Sequence, residues 1–341
     1  MAEDTSRNTL ADMAGTAAVR PNITSAPGPA VSLVVPFLNE EKVLPKLFGT
    51  LAKVLTTISG YRWELVLVDD GSTDASVSVI VSEAPAFPGA VRLVRLTRNF
   101  GHQPALMAGL ARATGEAIIC LDADLQDPPE LVAEFLARFQ EGHDVVFGVR
   151  RSRKESLWKR FAYRSFYRLF RAFADVDVPL DAGDFGLMSQ RVVELVLKMP
   201  ERDLIIRGLR SWVGFRQIGV PYDRPERQAG ETKYGLRKLV KLALSALFGY
   251  STLPLRLATV LGLGSAGVAA CYAAYVLYAK FSGAPAPSGW ASLAIVILFL
   301  GGVQLVTIGI LGEYIGRIYQ QSQARPLFII AQDEMLTEKP R

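Results

Sequence analysis

Only two cysteines, Cys120 and Cys271, and two histidines, His102 and His143, occur in 341 residues. That scarcity excludes a disulfide framework and a four-cysteine zinc site, leaves too little imidazole for a histidine-rich metal centre, and makes a reducing compartment the simpler setting. A secretory signal pattern is also missing from the start, because Met1-Ala-Glu-Asp4 puts acid where such a signal needs base before an apolar run. Disorder as the overall state is excluded by 50% hydrophobic residues and a mean hydropathy of +0.22. A net charge of +5 suits nucleic acid or an anionic membrane equally until its location is known.

Residues 1–30 mix Ser, Thr, Ala, Pro and Gly with both signs of charge and no periodicity, and read as a disordered tail. From residue 31 short apolar runs at 31–35, 64–68, 91–96, 117–121 and 144–149 alternate with helical stretches at 41–58, 103–114 and 129–140. Strands this apolar, each followed by a helix, predict an α/β domain over 31–235 with a mainly parallel sheet covered on both faces. Ligands of such sheets bind beyond the carboxyl ends of the strands. Those ends here read Pro36-Phe-Leu-Asn-Glu40, Asp69-Asp70-Gly-Ser-Thr-Asp74 and Asp122-Ala-Asp124-Leu-Gln126, three acidic loops on one edge.

Two later runs are of another kind. Residues 257–279 and 290–312 are each 23 residues without a charge, and at ~1.5 Å per residue either spans a bilayer core. Arg237, Lys238, Lys241 and Arg256 precede the first run and Arg317 and Arg325 follow the second, while the connection holds one lysine. The positive-inside bias therefore predicts a membrane hairpin with both termini in the cytoplasm, preceded by a juxtamembrane amphipathic helix at 236–256 and followed by a cytosolic tail at 313–341. The competing reading is a buried helical pair within a soluble domain. Gly262-Leu-Gly264-Ser-Ala-Gly267 matches the dinucleotide fingerprint, but no strand precedes it, and close helix packing by small residues is the better account.

The chemistry concentrates in the acidic loops. Carboxylates at i and i+2 on an extended segment point to one side, so Asp122 and Asp124 are placed to face one hard divalent cation, with Gln126 adding a carbonyl oxygen. Mg²⁺ or Mn²⁺ held there would bridge the diphosphate of a nucleotide. Plain capping is the alternative for such aspartates. After the second strand, Gly71 frees the backbone for a tight approach and a carboxylate at Asp69 or Asp70 suits the imide N–H of a uracil ring, against the same capping alternative.

Residues 150–171 locate the positive charge: Arg150, Arg151, Arg153, Lys154, Lys159, Arg160, Arg164, Arg168 and Arg171 stand against the single acid Glu155. At ~100° per residue, Arg160, Arg164, Arg168 and Arg171 share one arc, and Trp158, Ala162, Phe166, Leu169 and Phe173 share the opposite one. This pattern predicts a helix lying in an anionic membrane interface rather than a nucleic-acid arm, since membrane runs follow and the other face is aromatic.

Taken together, Pro36-x-x-Asn39-Glu40, Val68-Asp69-Asp70-Gly71-Ser72-x-Asp74 and Asp122-Ala-Asp124-Leu-Gln126-x-Pro-Pro resemble the nucleotide-sugar domain of family 2 glycosyltransferases. Asp181-Ala-Gly-Asp184-Phe-Gly, Arg227-Gln-Ala-Gly-Glu-Thr-Lys233-Tyr and Leu311-Gly-Glu-Tyr-Ile-Gly-Arg narrow the likeness to polyprenyl-phosphate sugar transferases, bactoprenol glucosyltransferases above all, with dolichol-phosphate mannose synthase more distant. The resemblance implies a Rossmann-like GT-A domain, with Pro36, Glu40, Asp69 and Asp70 on the uridine and Asp122, Asp124 and Gln126 on Mg²⁺ or Mn²⁺. It also implies Arg150 on the lipid phosphate, Arg160 and Arg164 beside it, Arg227 and Lys233 near the phosphates, and Asp184 at the reacting centre.

The implied reaction is an inverting single displacement in which a polyprenyl phosphate takes a sugar, UDP-glucose being the leading donor, at the cytoplasmic face of the inner membrane. A UDP-N-acetyl sugar, UDP-galacturonate, UDP-4-formamido-arabinose or GDP-mannose are the alternative donors. A homo-tetramer is implied by the same resemblance and nucleic acid is not a partner. A processive polysaccharide synthase would carry more membrane runs and a Gln-x-x-Arg-Trp motif, and a non-catalytic scaffold would have lost one of the acidic loops.

Overall fold

Strands without a polar face need cover on both sides, and the structure supplies it. The computed structural model describes residues 28–150, 182–199, 201, 206–223, 253–282 and 289–337. The tail at 1–27, nearly all of the basic helix at 150–175 and most of the juxtamembrane stretch at 236–256 lie outside the described residues, as do Arg160, Arg164, Arg227 and Lys233.

The elements run β1 (Ala30–Phe37), α1 (Leu44–Thr57), β2 (Arg62–Asp69), α2 (Ser76–Glu83), β3 (Ala90–Leu96), α3 (His102–Leu110), β4 (Ala117–Cys120), α4 (Leu131–Gln140) and β5 (Val145–Arg150). There follow β6 (Ala182–Ser189), α5 (Gln190–Lys198), α6 (Ile206–Trp212), β7 (Gln217–Tyr222), α7 (Leu253–Ser282), α8 (Trp290–Ser322) and β8 (Ile330–Thr337). One sheet of eight strands has the order β7-β5-β6-β4-β1-β2-β3-β8. Four of its seven pairings are parallel, as the sequence predicts for the β1–β5 units, and β6 and β8 supply the antiparallel ones.

Alternation along each strand divides the core in two. Leu33, Val35, Leu65 and Leu67 face α1 and α4 with Leu47, Leu51, Phe135 and Phe185, while Val34, Val66 and Val68 face α3 and α5 with Leu106, Leu110 and Val192. Helix α3 sits close on the sheet because Gly109 has no side chain: a Cβ there would lie 2.3 Å from Val34 Cγ1 and 2.9 Å from Val68 Cγ2. Gly109→Ala is expected to cost ~1–3 kcal/mol through this overlap, read as a lowered thermal midpoint in detergent.

Strands β6, β7 and β8 were not anticipated, and each hides for a physical reason. Segment 182–189 holds two glycines and an aspartate, and 217–222 holds Gly219 and Pro221, residues that suit strands poorly; Pro221 is tolerated because β7 is an edge strand. The sequence reading of 313–341 as a tail needs correction. Helix α8 continues to Ser322, and Ile330–Thr337 then pairs with the outer edge of β3. Five of its eight residues are exposed, and only Leu336 and Ile330 pack against the core, so it carries little apolar face. Charge adds to the hold: Asp333 accepts from Arg92 Nη1 at 2.9 Å and pairs with Arg112 Nε at 2.8 Å.

Helices α7 and α8 include spans Pro254–Ala279 and Ile295–Ser322, with mean hydropathies of 1.7 and 2.4 and no buried share in either window. Their length and composition suit a membrane crossing. A core helix pair is ruled out by exposure, Leu263 being 70% and Leu305 72% accessible. Among the described residues nothing packs on Gly262, Gly264 or Gly267, for a Cβ at any of the three meets no described atom within 4 Å.

Candidate active site

The loops leaving β1 and β2 are stitched together by short polar side chains. Ser72 Oγ accepts the Asn39 N–H and Asn39 Oδ1 accepts that of Thr73, at 2.9 and 2.8 Å. Ser76 Oγ accepts from Glu40 N at 2.9 Å and Asp74 Oδ2 from Glu41 N at 3.2 Å. Gly71 between them has φ +83°, and a Cβ would stand 2.8 Å from the Arg98 carbonyl carbon, so glycine is required on both counts.

Asp69 and Asp70 are 1% and 4% exposed, and backbone groups take much of their capacity. Asp69 accepts the Ser72 N–H at 2.8 Å, with Arg95 Nε 3.5 Å away. Asp70 accepts the amides of Phe100 and Gly101 at 2.7 and 2.9 Å and so draws the loop after β3 onto the same edge. Both residues thus do the capping that was the alternative to base recognition, and fix the neighbouring loops on this edge while doing it.

The chain after β4 departs from expectation. Asp122-Ala-Asp124 is not extended: Ala123 and Asp124 form a turn, Leu125 takes φ +54°, and Asp124 Oδ1 accepts the Gln126 N–H at 3.1 Å. The i, i+2 argument therefore does not place the two carboxylates; the turn does. Among the described residues no group of three or more His, Cys, Asp or Glu forms a ready metal cage. Burial nonetheless pushes the Asp122 carboxyl up to about 6, against the pull of His102 and with the charges of Asp127, Asp124 and Asp184 adding to the rise. The negative charge of Asp124, Asp127 and Asp184 around Asp122, which His102 only partly offsets, fits a hard divalent cation that Asp122, Asp124 and Gln126 would hold.

Asp184 reaches this edge because β6 is antiparallel to β4 and β5 and so begins where they end; Val149 pairs with Ala182 and Cys120 with Gly186. Its Oδ2 accepts from Gln103 Nε2 at 2.6 Å, and Gln103 Oε1 accepts the Ile206 N–H at 2.9 Å, tying α6 to the site. Its Oδ1 is buried and has no hydrogen-bond partner among the described residues. Burial acts to raise this carboxyl, yet His102, Arg207 and Gln103 together hold it below its ordinary value.

Four side chains that the sequence reading did not single out complete the arrangement. His102 Nε2 lies 3.6 Å from both Asp122 Oδ1 and Asp184 Oδ2; the Asp184 carboxylate, with Asp122 adding to it, raises its pKa over the opposing effect of burial. Arg210, 1% exposed, donates from Nη2 to Gly183 O at 3.3 Å and lies 4.9 Å from the Phe147 ring. Burial lowers its pKa to about 10, with Asp184 opposing that fall. Asp127 and Tyr222 meet Arg150, the last residue of β5. Only Gly101-His102-Gln103 after an apolar run carried a local signal; the rest meet through pairings of distant strands.

The structure thus brings Pro36, Glu40, Asp69, Asp70, Asp122, Asp124, Gln126, Arg150 and Asp184 to the carboxyl edge of one sheet. Comparison with known proteins agrees in kind. The family model described as glycosyl transferase family 2 matches residues 32–197, and that described as GtrB C-terminal hairpin matches residues 253–318. An uncharacterized glycosyltransferase, YkcC of Bacillus subtilis, is 42% identical over 88% of this chain and 92% of its own length. The prophage bactoprenol glucosyl transferase homolog of Escherichia coli is 43% identical over 88% of this chain and 98% of its own. The bactoprenol glucosyl transferase of Shigella phage SfV is 42% identical over 89% and 99%. With likeness running through both the acidic α/β domain and the helical hairpin, this chain belongs to the family 2 glycosyltransferases that carry the GtrB C-terminal hairpin.

Proposed function

We propose that the protein transfers glucose from UDP-glucose to the phosphate of a polyprenyl phosphate at the cytoplasmic face of the membrane. The observation that carries this reading is the meeting of Asp122, Asp184 and Arg150 on one sheet edge of a chain whose helical hairpin is long and apolar enough to cross a bilayer. Identity of 41–43% to bactoprenol glucosyl transferases over nearly the whole chain supports glucose and a lipid acceptor.

A phosphate monoester has a second pKa of ~6, so the acceptor oxygen is largely anionic at neutral pH and needs no strong base. The forming bond joins that oxygen to the sugar C1, the C1–O bond to the diphosphate breaks, and UDP leaves with the electron pair. One in-line displacement inverts C1. Asp69 and Asp70 shape the uridine pocket with Pro36 and Glu40. Asp122, Asp124 and Gln126 would hold Mg²⁺ or Mn²⁺, which supplies charge neutralisation for the diphosphate. Arg150 faces the acceptor phosphate as a planar fork, and Asp184 orients the reactants. Arg227 and Lys233 assist the phosphates, as do Arg160 and Arg164 on the lipid side. Both termini are cytosolic, and assembly into a homo-tetramer follows the family pattern.

The test is direct. Purified protein in detergent receives undecaprenyl phosphate, Mn²⁺ or Mg²⁺ and a panel of labelled nucleotide sugars, and label from UDP-glucose is expected in the chloroform phase. Label that stays in water for every donor overturns the transferase reading; extraction from another donor corrects the sugar alone.

A further inference from the structure

The last residue of the acidic loop reaches the arginine on the acceptor side. Asp127 is 1% exposed, and its Oδ1 accepts the Tyr222 hydroxyl at 2.5 Å. Arg150 Nε donates to the oxygen of that same hydroxyl at 3.2 Å, and Arg150 Nη2 lies 3.9 Å from Asp127 Oδ1. A phenol has one proton and two lone pairs. Its proton must go to Asp127 for its oxygen to accept from Arg150, so the three groups satisfy each other in one arrangement only. Burial and the bond to Asp127 push the Tyr222 hydroxyl up to about 12, which keeps that proton in place.

Two gaps in the strands seat the pair. A Cβ at Gly148 would stand 2.7 Å from Tyr222 Cε1 and one at Gly183 would stand 3.2 Å from Arg150 Nη2. The Tyr222 ring also packs edge-on against Phe185, with centroids 5.9 Å apart. The tyrosine ring thus lies in a slot that any side chain at 148 would fill, and a side chain at 183 would press on the arginine's guanidinium. With Nε committed, the Nη1 and Nη2 edge of Arg150 carries no hydrogen bond to a described residue, and that edge is the one suited to two phosphate oxygens at once.

We infer that Asp127 and Tyr222 are positioning residues that fix the Arg150 guanidinium for the acceptor phosphate, linking the loop at the donor site to the group that receives the lipid. The inference rests on the proposed acceptor role of Arg150. It also gives the Asp-Ala-Asp-Leu-Gln-Asp loop a second task, since its first two aspartates serve the donor and its third serves the acceptor side.

The experiment compares full-length Tyr222→Phe, Asp127→Asn, Asp127→Ala, Arg150→Ala and the double variant Tyr222→Phe/Arg150→Ala in detergent, with UDP-glucose and undecaprenyl phosphate varied separately. A hydrogen bond to a charged group is expected to appear as an about tenfold rise in KM for the lipid in Tyr222→Phe, with KM for the nucleotide sugar changed by less than about twofold. Asp127→Asn, which keeps an acceptor oxygen for Tyr222, should lose less than Asp127→Ala. In the Arg150→Ala background Tyr222→Phe should add nothing further, because its effect passes through Arg150. Gly148→Ala, which crowds the ring and leaves every polar group in place, should reproduce the Tyr222→Phe phenotype. A lipid KM raised by Arg150→Ala but unmoved by Tyr222→Phe overturns the inference and leaves the acceptor reading standing, and so do effects that multiply in the double variant. A lipid KM unmoved by Arg150→Ala overturns the acceptor reading itself, and the inference with it.

Discussion

Asp124→Ala abolishes sugar transfer at every concentration of Mg²⁺ or Mn²⁺, a loss of ~10³-fold or more in kcat/KM if the loop holds the cation that neutralises the leaving diphosphate. Asp124 has two tasks that alanine removes together: its Oδ1 accepts the Gln126 N–H and fixes the turn, and its charge contributes to the acidic cluster around Asp122. Asp124→Asn separates them, because an amide oxygen can still cap the turn while the charge is lost. Activity near that of the parent protein in Asp124→Asn would show that Asp124 serves the turn alone. Full activity of the parent protein in chelator would overturn the metal reading altogether.

Asp184→Asn is expected to lower kcat by ~10²–10³-fold while nucleotide affinity, measured by calorimetry with UDP, stays unchanged. The carboxylate sits among donors: Gln103 Nε2 at 2.6 Å, His102 Nε2 at 3.6 Å, and Arg210 held one residue away through Gly183 O. An amide of the same shape removes the negative charge that this group of donors surrounds and turns an N–H₂ toward some of them. The binding loops of β1 and β2 lie apart from this change and keep their stitching through Asn39, Ser72 and Ser76. Unchanged turnover in Asp184→Asn removes this residue from the reacting centre; a parallel loss of UDP affinity assigns it to the donor pocket instead.

Both predictions depend on contacts that the sequence revealed unevenly. Residues 31–35, 64–68 and 117–121 could be read as buried strands because apolar runs without a polar face have few other stable settings. The acidic residues that follow them could be read as one site because parallel strands all end on the same edge. Asp184 could be tied to that edge only through a family motif, for the strand that delivers it contains two glycines and runs the other way. Arg92 and Arg112 gave no sign of gripping Asp333, more than two hundred residues away, and the partnership of Asp127 with Tyr222 spans 95 positions.

The amino-acid order alone determined the layered α/β domain from β1 to β5, the acidic character of its turns and the two long apolar helices, since each is a local pattern that a segment must carry to satisfy its own burial and backbone hydrogen bonds. Only the tertiary structure decided which side chains share a volume. The reversal of β6 set Asp184 beside Asp122 and His102, the turn at Ala123 and Asp124 replaced an extended pair, and the β5–β7 pairing brought Tyr222 to Arg150. Such meetings depend on strand order and direction, which are settled by packing across the whole sheet, and a periodicity of two or of 3.6 residues carries no record of them.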